Sequence, residues 1–375
     1  MRKVALFFGG KSCENEISIL TGVFVMNVLD GERCAVFPVY IHTDGCFYTS
    51  PKMKDISVFK KKKYGDFQRI FFDGDTVYAL NKSKRKIKRL AKIDAALNCC
   101  HGGLGEGGGI SALMALHEIP FASPDLTASG VLMDKTLTKV MMRGLGVPTV
   151  DYIRVNEADY QKRGAFLLKS IESRLKYPIV VKPAHLGSSI GITLARNEEE
   201  AKKAIDSAFL LDDRVLIEKY LLQKRDINCA ACLLRGEIYV SEPEEAFGDG
   251  LYSFEEKYMK RKRDAIGKNA RKGGGRCALN ADLREKIRTY TKTIYKRMNL
   301  QGVVRMDFLL SEGKVYLCEV NTVPGSLAYY LFCERMVDAK NFFADLVEEA
   351  IAGAGRQKKK ILTTGILQTA QTGRK

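Results

Sequence analysis

Near the end of the chain, four polar side chains stand within one otherwise apolar stretch, and their types suit a metal ion and a phosphate. They are Arg305, Asp307, Glu319 and Asn321, between Gly302 and Ser326. The pattern predicts strands over 303–310 and 315–321 with a tight turn over 311–314. Side chains alternate along a strand, so Arg305 and Asp307 share one face, as do Glu319 and Asn321 on the partner. A three-residue loop centred near Gly313 sets Asp307 opposite Glu319 and Arg305 opposite Asn321. Facing carboxylates repel, and a hard cation between them reverses that sign. Asp, Glu and an Asn carbonyl are oxygen ligands of the kind Mg²⁺ takes while it also holds phosphate. A solvent-facing hairpin explains any one of these carboxylates alone. The set of four, followed by Pro324-Gly325, favours the metal and phosphate.

Other chemistry-bearing residues stand at glycine-rich junctions. A strand over 4–8 ends in Gly9-Gly10 and leads past Glu14 into an apolar-periodic helix reaching about Val28. Strand, glycine turn and helix start make a site at the carboxyl edge of a parallel sheet. The helix dipole would also favour Glu14 with no ligand present. Strands follow over 34–41 and 93–99, and the latter ends in a glycine-crowded run from His101 to Gly109 carrying Glu106. Such a run implies close approach of backbone to a ligand. It is not read as a dinucleotide fingerprint: Gly103 to Gly108 has the G-x-G-x-x-G spacing, but in a run this crowded with glycine such a match is weak. Between these strands, 42–92 carries short β patterns at 69–72 and 76–80 and a basic connector.

Residues 120–124 close a first domain, and a helix runs from Met133-Asp134-Lys135 to about Gly146. An apolar strand over 177–183 carries Lys182, expensive to bury without an anion. The loop after it, with Gly187, Ser188 and Ser189, resembles a phosphate cover, although the chain holds no Walker loop. Strand 215–217 leads into Glu218 and Lys219, and strands 226–234 and 237–240 form a hairpin across Arg235-Gly236. The basic stretch 247–276 is a long loop of the kind that is usually functional. Helices over 283–298 and 341–352 flank the metal-type hairpin.

A length of 375 residues gives room for two or three domains. Hydrophobic content of 46% is that of a soluble globular protein. No apolar run approaches a membrane span, and the start reads as a first strand instead of a signal peptide. Ten cysteines without an export signal point to reduced thiols in a cytosol. Cys229 and Cys232 have zinc-like spacing, but on a strand they face opposite sides, which makes them core residues. A net charge of +17 raises nucleic acid as a partner. The basic clusters at 60–63 and 82–89 lack interleaved aromatics for stacking, so they read as solvated faces. An anionic substrate is a competing account of the cluster at 260–276.

Together these residues resemble the D-alanine–D-alanine ligase family of the ATP-grasp superfamily, over about 4–352 and most weakly over 42–92. The resemblance implies an α/β chain of three α/β domains: an N-terminal parallel-sheet substrate domain over 1–123, a central ATP-grasp subdomain over 124–217, and a C-terminal one over 218–355. The last would carry the metal site and a closing loop, before a basic tail over 356–375. ATP and Mg²⁺ (or Mn²⁺) are the implied cofactors. Lys135 and Lys182 would contact phosphates beneath the cover Gly187-Ser188-Ser189. Glu218 and the Lys219 backbone would face adenine, and Asp226 the ribose, one residue appearing inserted before it. Asp307, Glu319 and Asn321 would hold the metal. Glu14 would orient the first amino group, linked to Ser188 and Tyr258, and His101 would lie near the reacting groups. Lys257 would reach the transferred phosphate, while Arg305 and the Gly325 N–H would stabilise an oxyanion. Gly325, Ser326, Tyr330 and Leu331 would border the acceptor.

This chemistry follows from the residue types. Phosphorylating a carboxylate needs metal and cations around the migrating group. Amine attack on the acylphosphate needs oxyanion donors, and a closing loop keeps water out. Several positions depart from the family pattern. Asn15 stands where a histidine is usual, Gly107 where Asp is common, Leu186 where a polar residue is usual, and Cys277-Ala278 where the closing loop ends in proline-alanine. Tyr330 occupies the position of a serine that grips the acceptor carboxylate. The leading expectation is D-Ala-D-Ala synthesis for peptidoglycan in the cytoplasm by a homodimer, with amino acid substrates and neither nucleic acid nor membrane as partner. The alternatives are a related ligase with another acceptor (D-lactate, D-serine or a different amino acid) or an ATP-binding regulatory protein without turnover.

Overall fold

The computed structural model describes residues 1–81, 86–246 and 278–357. The expected closing loop, with Lys257 and Tyr258, and the basic tail lie outside these residues. Apolar runs in the first hundred residues build a seven-stranded sheet. Its strands are β1 (Arg2–Gly9), β2 (Cys34–Ile41), β3 (Phe47–Thr49), β4 (Gln68–Asp73), β5 (Thr76–Asn81), β6 (Lys86–Lys92) and β7 (Ala95–Asn98), in the order β6-β5-β4-β3-β2-β1-β7. Only β2, β1 and β7 are parallel. Strands β3 to β6 extend the sheet in antiparallel fashion, so the expected parallel sheet is mixed. The basic connector proves to be the edge strand β6. Lysines on an edge discourage pairing with another chain, and their charge hides the strand in the sequence. Strand β1 is a continuous buried run from Val4 to Phe8, as a strand covered on both faces must be.

A second, antiparallel sheet has the order β10-β9-β11-β8, from β8 (Tyr152–Asn156), β9 (Ile179–Pro183), β10 (Thr193–Ala195) and β11 (Arg214–Lys219). Helices Glu157–Leu175 and Glu198–Phe209 bury apolar stripes against it. The third sheet contains β12 (Arg225–Leu234), β13 (Glu237–Val240), β14 (Glu244–Glu245), β15 (Val303–Ser311) and β16 (Lys314–Asn321). Its order is β13-β12-β15-β16, with β14 also on β12. Period-2 alternation sends Cys229 to the core under helix Ala281–Arg297, and Cys232 to the core shared with helix Ala339–Gln357. The two thiols therefore share no site. All cysteines among the described residues are free, and no helix among them is long and apolar enough to cross a membrane.

Candidate active site

The register of β15 and β16 pairs Arg305 with Asn321 and Asp307 with Glu319, as the alternation requires. The route to that register differs from the expected one. The turn has two residues, Glu312 and Gly313, both left-handed at φ +49° and +71°. This is the form that matches strand twist, and glycine adopts its second position without strain. By itself such a turn would misalign the carboxylates by one residue. A bulge corrects it: Phe308 pairs with Leu317 and Asp307 with Glu319, leaving Cys318 as the extra residue. Cys318 Sγ then lies 3.8 Å from Lys182 Nζ.

On the cleft face, Arg305 grips Asp307 through Nε and NH2 at 2.7 and 2.8 Å. The Asn321 amide donates to Asp307 Oδ2 at 2.9 Å. Glu319 lies 3.6 Å from Lys135 Nζ. Lys135 is aimed there because Asp134 caps its helix, accepting from the Thr136 and Leu137 N–H groups at 2.7 and 3.1 Å. One turn further on, Lys139 is buried and meets Glu218, which also pairs with Lys182. Burial alone would raise the Glu218 pKa, but the two ammonium groups hold it below the usual carboxylate range. The sequence marks Lys139 only by its spacing of four from Lys135, which puts both on one helix face.

Across the cleft, Ser188 and Ser189 take left-handed φ values of +52° and +62°, and the Ser188 hydroxyl donates to Glu14 Oε1. Gly187 lets Glu14 approach closely: a Cβ there would come within 2.5 Å of a Glu14 oxygen and push that carboxylate aside. The Glu14 N–H donates to Ser12 Oγ, whose hydroxyl donates to the His101 carbonyl at 2.6 Å. Glu106 accepts from the Gly102 N–H at 2.8 Å and the Val323 N–H at 3.3 Å, joining the glycine run to the exit of β16. Burial pushes its carboxyl up to about 7, Glu14 adding to the effect against the Gly102 bond. Burial, reinforced by Arg305, pushes His101 down to about 4, so its ring is neutral. After Pro324-Gly325 the chain makes a left-handed turn through Ser326, Leu327 and Ala328, at φ +51°, +51° and +45°. Such a conformation costs roughly 1–2 kcal/mol per residue away from glycine.

Glu14, His101, Glu106, Lys135, Gly187, Ser188, Arg305, Asp307, Glu319, Asn321 and Gly325 thus line one open cleft. Lys182 and Glu218 lie just behind it, and Lys219 ends β11 on the surface. Asp226 lies on β12, ion-paired with Lys224 at 2.6 Å. Of the acceptor set only Gly325 lines the cleft. Ser326 is tied by its N–H to Thr21, and Leu331 packs on the first core. Tyr330 turns its phenol to Arg305 and accepts from its NH1 at 3.2 Å.

Residues 3–124 match the family model described as D-ala D-ala ligase N-terminus, and residues 141–352 the one described as D-ala D-ala ligase C-terminus. A D-alanine–D-alanine ligase of Caldicellulosiruptor bescii is 33% identical over 369 residues, covering 96% of this chain and 97% of that protein. One from Thermosipho melanesiensis is 32% identical over 338 residues, 88% of this chain and 89% of its own length. The crystal structure of the Helicobacter pylori D-alanine–D-alanine ligase superposes with a TM-score of 0.74 at 26% identity, covering 96% of this chain and all of that one.

Proposed function

The chain belongs to the D-alanine–D-alanine ligase family of ADP-forming, ATP-grasp enzymes, and we propose how its own residues carry out the family's reaction. That reaction joins two D-alanines for peptidoglycan synthesis, with ADP and phosphate as co-products. Asp307 on β15 and Glu319 and Asn321 on β16 present three oxygen donors on one face of the hairpin, a set that fits Mg²⁺ or Mn²⁺ shared with phosphate. When bound, ATP supplies the phosphoryl group and the metal neutralises its charge.

Lys135 and Lys182 hold phosphate oxygens under the cover Gly187-Ser188-Ser189. Glu218 keeps Lys182 charged and oriented, and with Lys219 it marks the edge where the base lies. Asp226 is the ribose partner once it leaves Lys224. Glu14, steadied by Ser188, orients the ammonium of the first amino acid. Arg305 and the Gly325 N–H face the carbonyl where a tetrahedral oxyanion develops, with His101 beside it. Lys257 would reach the transferred phosphate and Tyr258 would join Glu14 and Ser188, both by the family resemblance alone. The acceptor lies against Gly325, Ser326, Tyr330 and Leu331. We propose as well the domain plan 1–123, 124–217, 218–355 and a tail, a homodimer, a cytoplasmic location, and no nucleic-acid or membrane partner.

The observation that carries this reading is one cleft holding the Lys135–Glu319 contact on one wall and the Ser188–Glu14 contact on the other. The test is ADP release from purified protein given ATP, Mg²⁺ and amino acids singly and in pairs, with mass analysis of the products. D-alanine alone should yield D-Ala-D-Ala, ADP and phosphate. Release of AMP and pyrophosphate would overturn the mechanism, and turnover only with a second acceptor would overturn the D-alanine assignment.

A further inference from the structure

Thr21 stands at a junction that the reaction scheme leaves unused. It lies on helix Asn15–Leu29, 3% exposed, between the first sheet and the turn after Pro324. Its Oγ1 is 2.9 Å from His101 Nε2 and accepts from the Ser326 N–H at 3.2 Å. Three segments distant in sequence, the helix, the glycine run and the left-handed turn, therefore meet at one buried hydroxyl.

We propose that Thr21 is a positioning residue for the ligase reaction: its hydroxyl fixes His101 as the Nδ1-protonated tautomer and ties it to the backbone at Ser326. A neutral imidazole has one N–H and one bare nitrogen. Thr21 Oγ1 already accepts from the Ser326 N–H, so its own buried proton needs an acceptor, and the partner it has is His101 Nε2. The proton of the neutral ring is therefore on Nδ1. Nε2 is then the bare nitrogen and takes the Thr21 proton, while the Thr21 lone pair takes the Ser326 N–H. Every proton on this path has one donor and one acceptor.

The consequence is geometric. Ser326 is the first of three left-handed non-glycine residues, a conformation that persists only where its surroundings hold it. The Leu327 N–H bond to the Pro324 carbonyl at 2.8 Å secures the turn from within. Thr21 secures it from the helix, beside Gly325 in the cleft wall. One hydroxyl thus sets the distance between His101 and the peptide that borders the acceptor. The charged groups of this region are Arg305 from β15, Glu106 from the same run and Glu14 from the helix start, and burial with Arg305 beside it holds the ring neutral.

This inference rests on the ligase reading for its kinetic arm alone. Thr21→Val keeps the shape and removes both bonds, whereas Thr21→Ser keeps both. Thr21→Val should raise the acceptor KM by about tenfold or more through misplacement of the turn, with the KM for ATP unchanged. It should move the acid limb of the pH profile upward, because a hydrogen bond to neutral His101 has been lost. Thr21→Ser should restore both. An unchanged acceptor KM and pH profile in a folded Thr21→Val protein would overturn the proposal. Nitrogen NMR of His101 in the wild-type chain is a second measurement, independent of turnover and of any variant's folding. A protonated Nδ1 with a bare Nε2 is expected, and a protonated Nε2 would overturn the assignment even if the protein proves to be no ligase.

Discussion

Two carboxylate sites on neighbouring sheets use the same ingredients to opposite ends. Glu218, at the end of β11, lies between Lys139 and Lys182 with its side chain 4% exposed. Asp307 lies between Arg305 and the Asn321 amide, 19% exposed, with Glu319 opposite and turned toward Lys135. In the dry triad, no partner can leave without stranding a charge away from water. On the cleft face, a partner that leaves is replaced by solvent or ligand at little cost. Burial, more than residue type, therefore separates the carboxylate that must keep its partners from the one that can exchange them.

The sharpest way to break this comparison is to neutralise each carboxylate in turn. Glu218→Gln leaves two buried lysines without their anion and should destabilise the fold by about 3–5 kcal/mol, read from denaturant midpoints. Stability within error of wild type would show that the triad is hydrated and not structural. Glu319→Gln should do the reverse. Turnover should fall on the order of 10²-fold, the scale of losing one preorganised catalytic contact, while stability holds because two facing carboxylates no longer repel. Wild-type turnover in that variant would remove the hairpin from the reaction.

His185 lies between these extremes, half-buried with its ring between Asp134 and Asp212. Asp134 first and Asp212 second hold the imidazolium, raising its pKa to about 9 from 6.5. Arg214 shares Asp134 at 2.6 Å. A folded-state pKa above the unfolded one means that the contribution is whole below pH 6.5 and is lost as pH rises through about 9. The melting-temperature gap between wild type and His185→Asn should be widest near pH 6 and close by about pH 10. Its size should be small, since solvent screens the pair. A gap independent of pH would mean that His185 contributes packing alone.

The two sites also differ in how far the sequence reveals them. Arg305, Asp307, Glu319 and Asn321 are legible because a period of two fixes facing side chains whatever surrounds the strand. Even there the turn is one residue shorter than the pattern predicts, and the register holds because the Cys318 bulge offsets it. Lys182 was legible as a buried lysine that needs an anion, and Glu218 is that anion. Lys139 was not, since its burial depends on how its helix seats against β8 and β11, which a charged residue on a helix does not announce. Thr21 and the left-handed turn were hidden for the same reason. Their geometry comes from contacts between segments some three hundred positions apart, and no local propensity favours three left-handed non-glycine residues in succession. Strand β6 was misread because its lysines obscure a strand that only its neighbour β5 makes evident.

The smallest effect expected concerns Tyr330, at the edge of the working site. Arg305 gives Nε and NH2 to Asp307 and an NH1 proton to the Tyr330 phenol. That leaves the guanidinium fewer donors for a substrate oxygen. The Tyr330 ring is seated edge-on against Tyr329, at 6.0 Å between centroids, so removing the hydroxyl should leave the backbone where it is. Tyr330→Phe frees the NH1 donor without opening a cavity, and Tyr330→Ser also clears the space beside it. If an acceptor carboxylate competes with the phenol for Arg305, either change should lower the acceptor KM for D-alanine. The gain should be about two- to fivefold, the worth of a single modest hydrogen bond. Tyr330→Ser should exceed Tyr330→Phe, since it adds room as well as a donor. The measurement is acceptor KM at saturating ATP for wild type and both variants. A KM that does not move in either variant would show that Arg305 meets no acceptor carboxylate and that the phenol only braces Arg305 against Asp307.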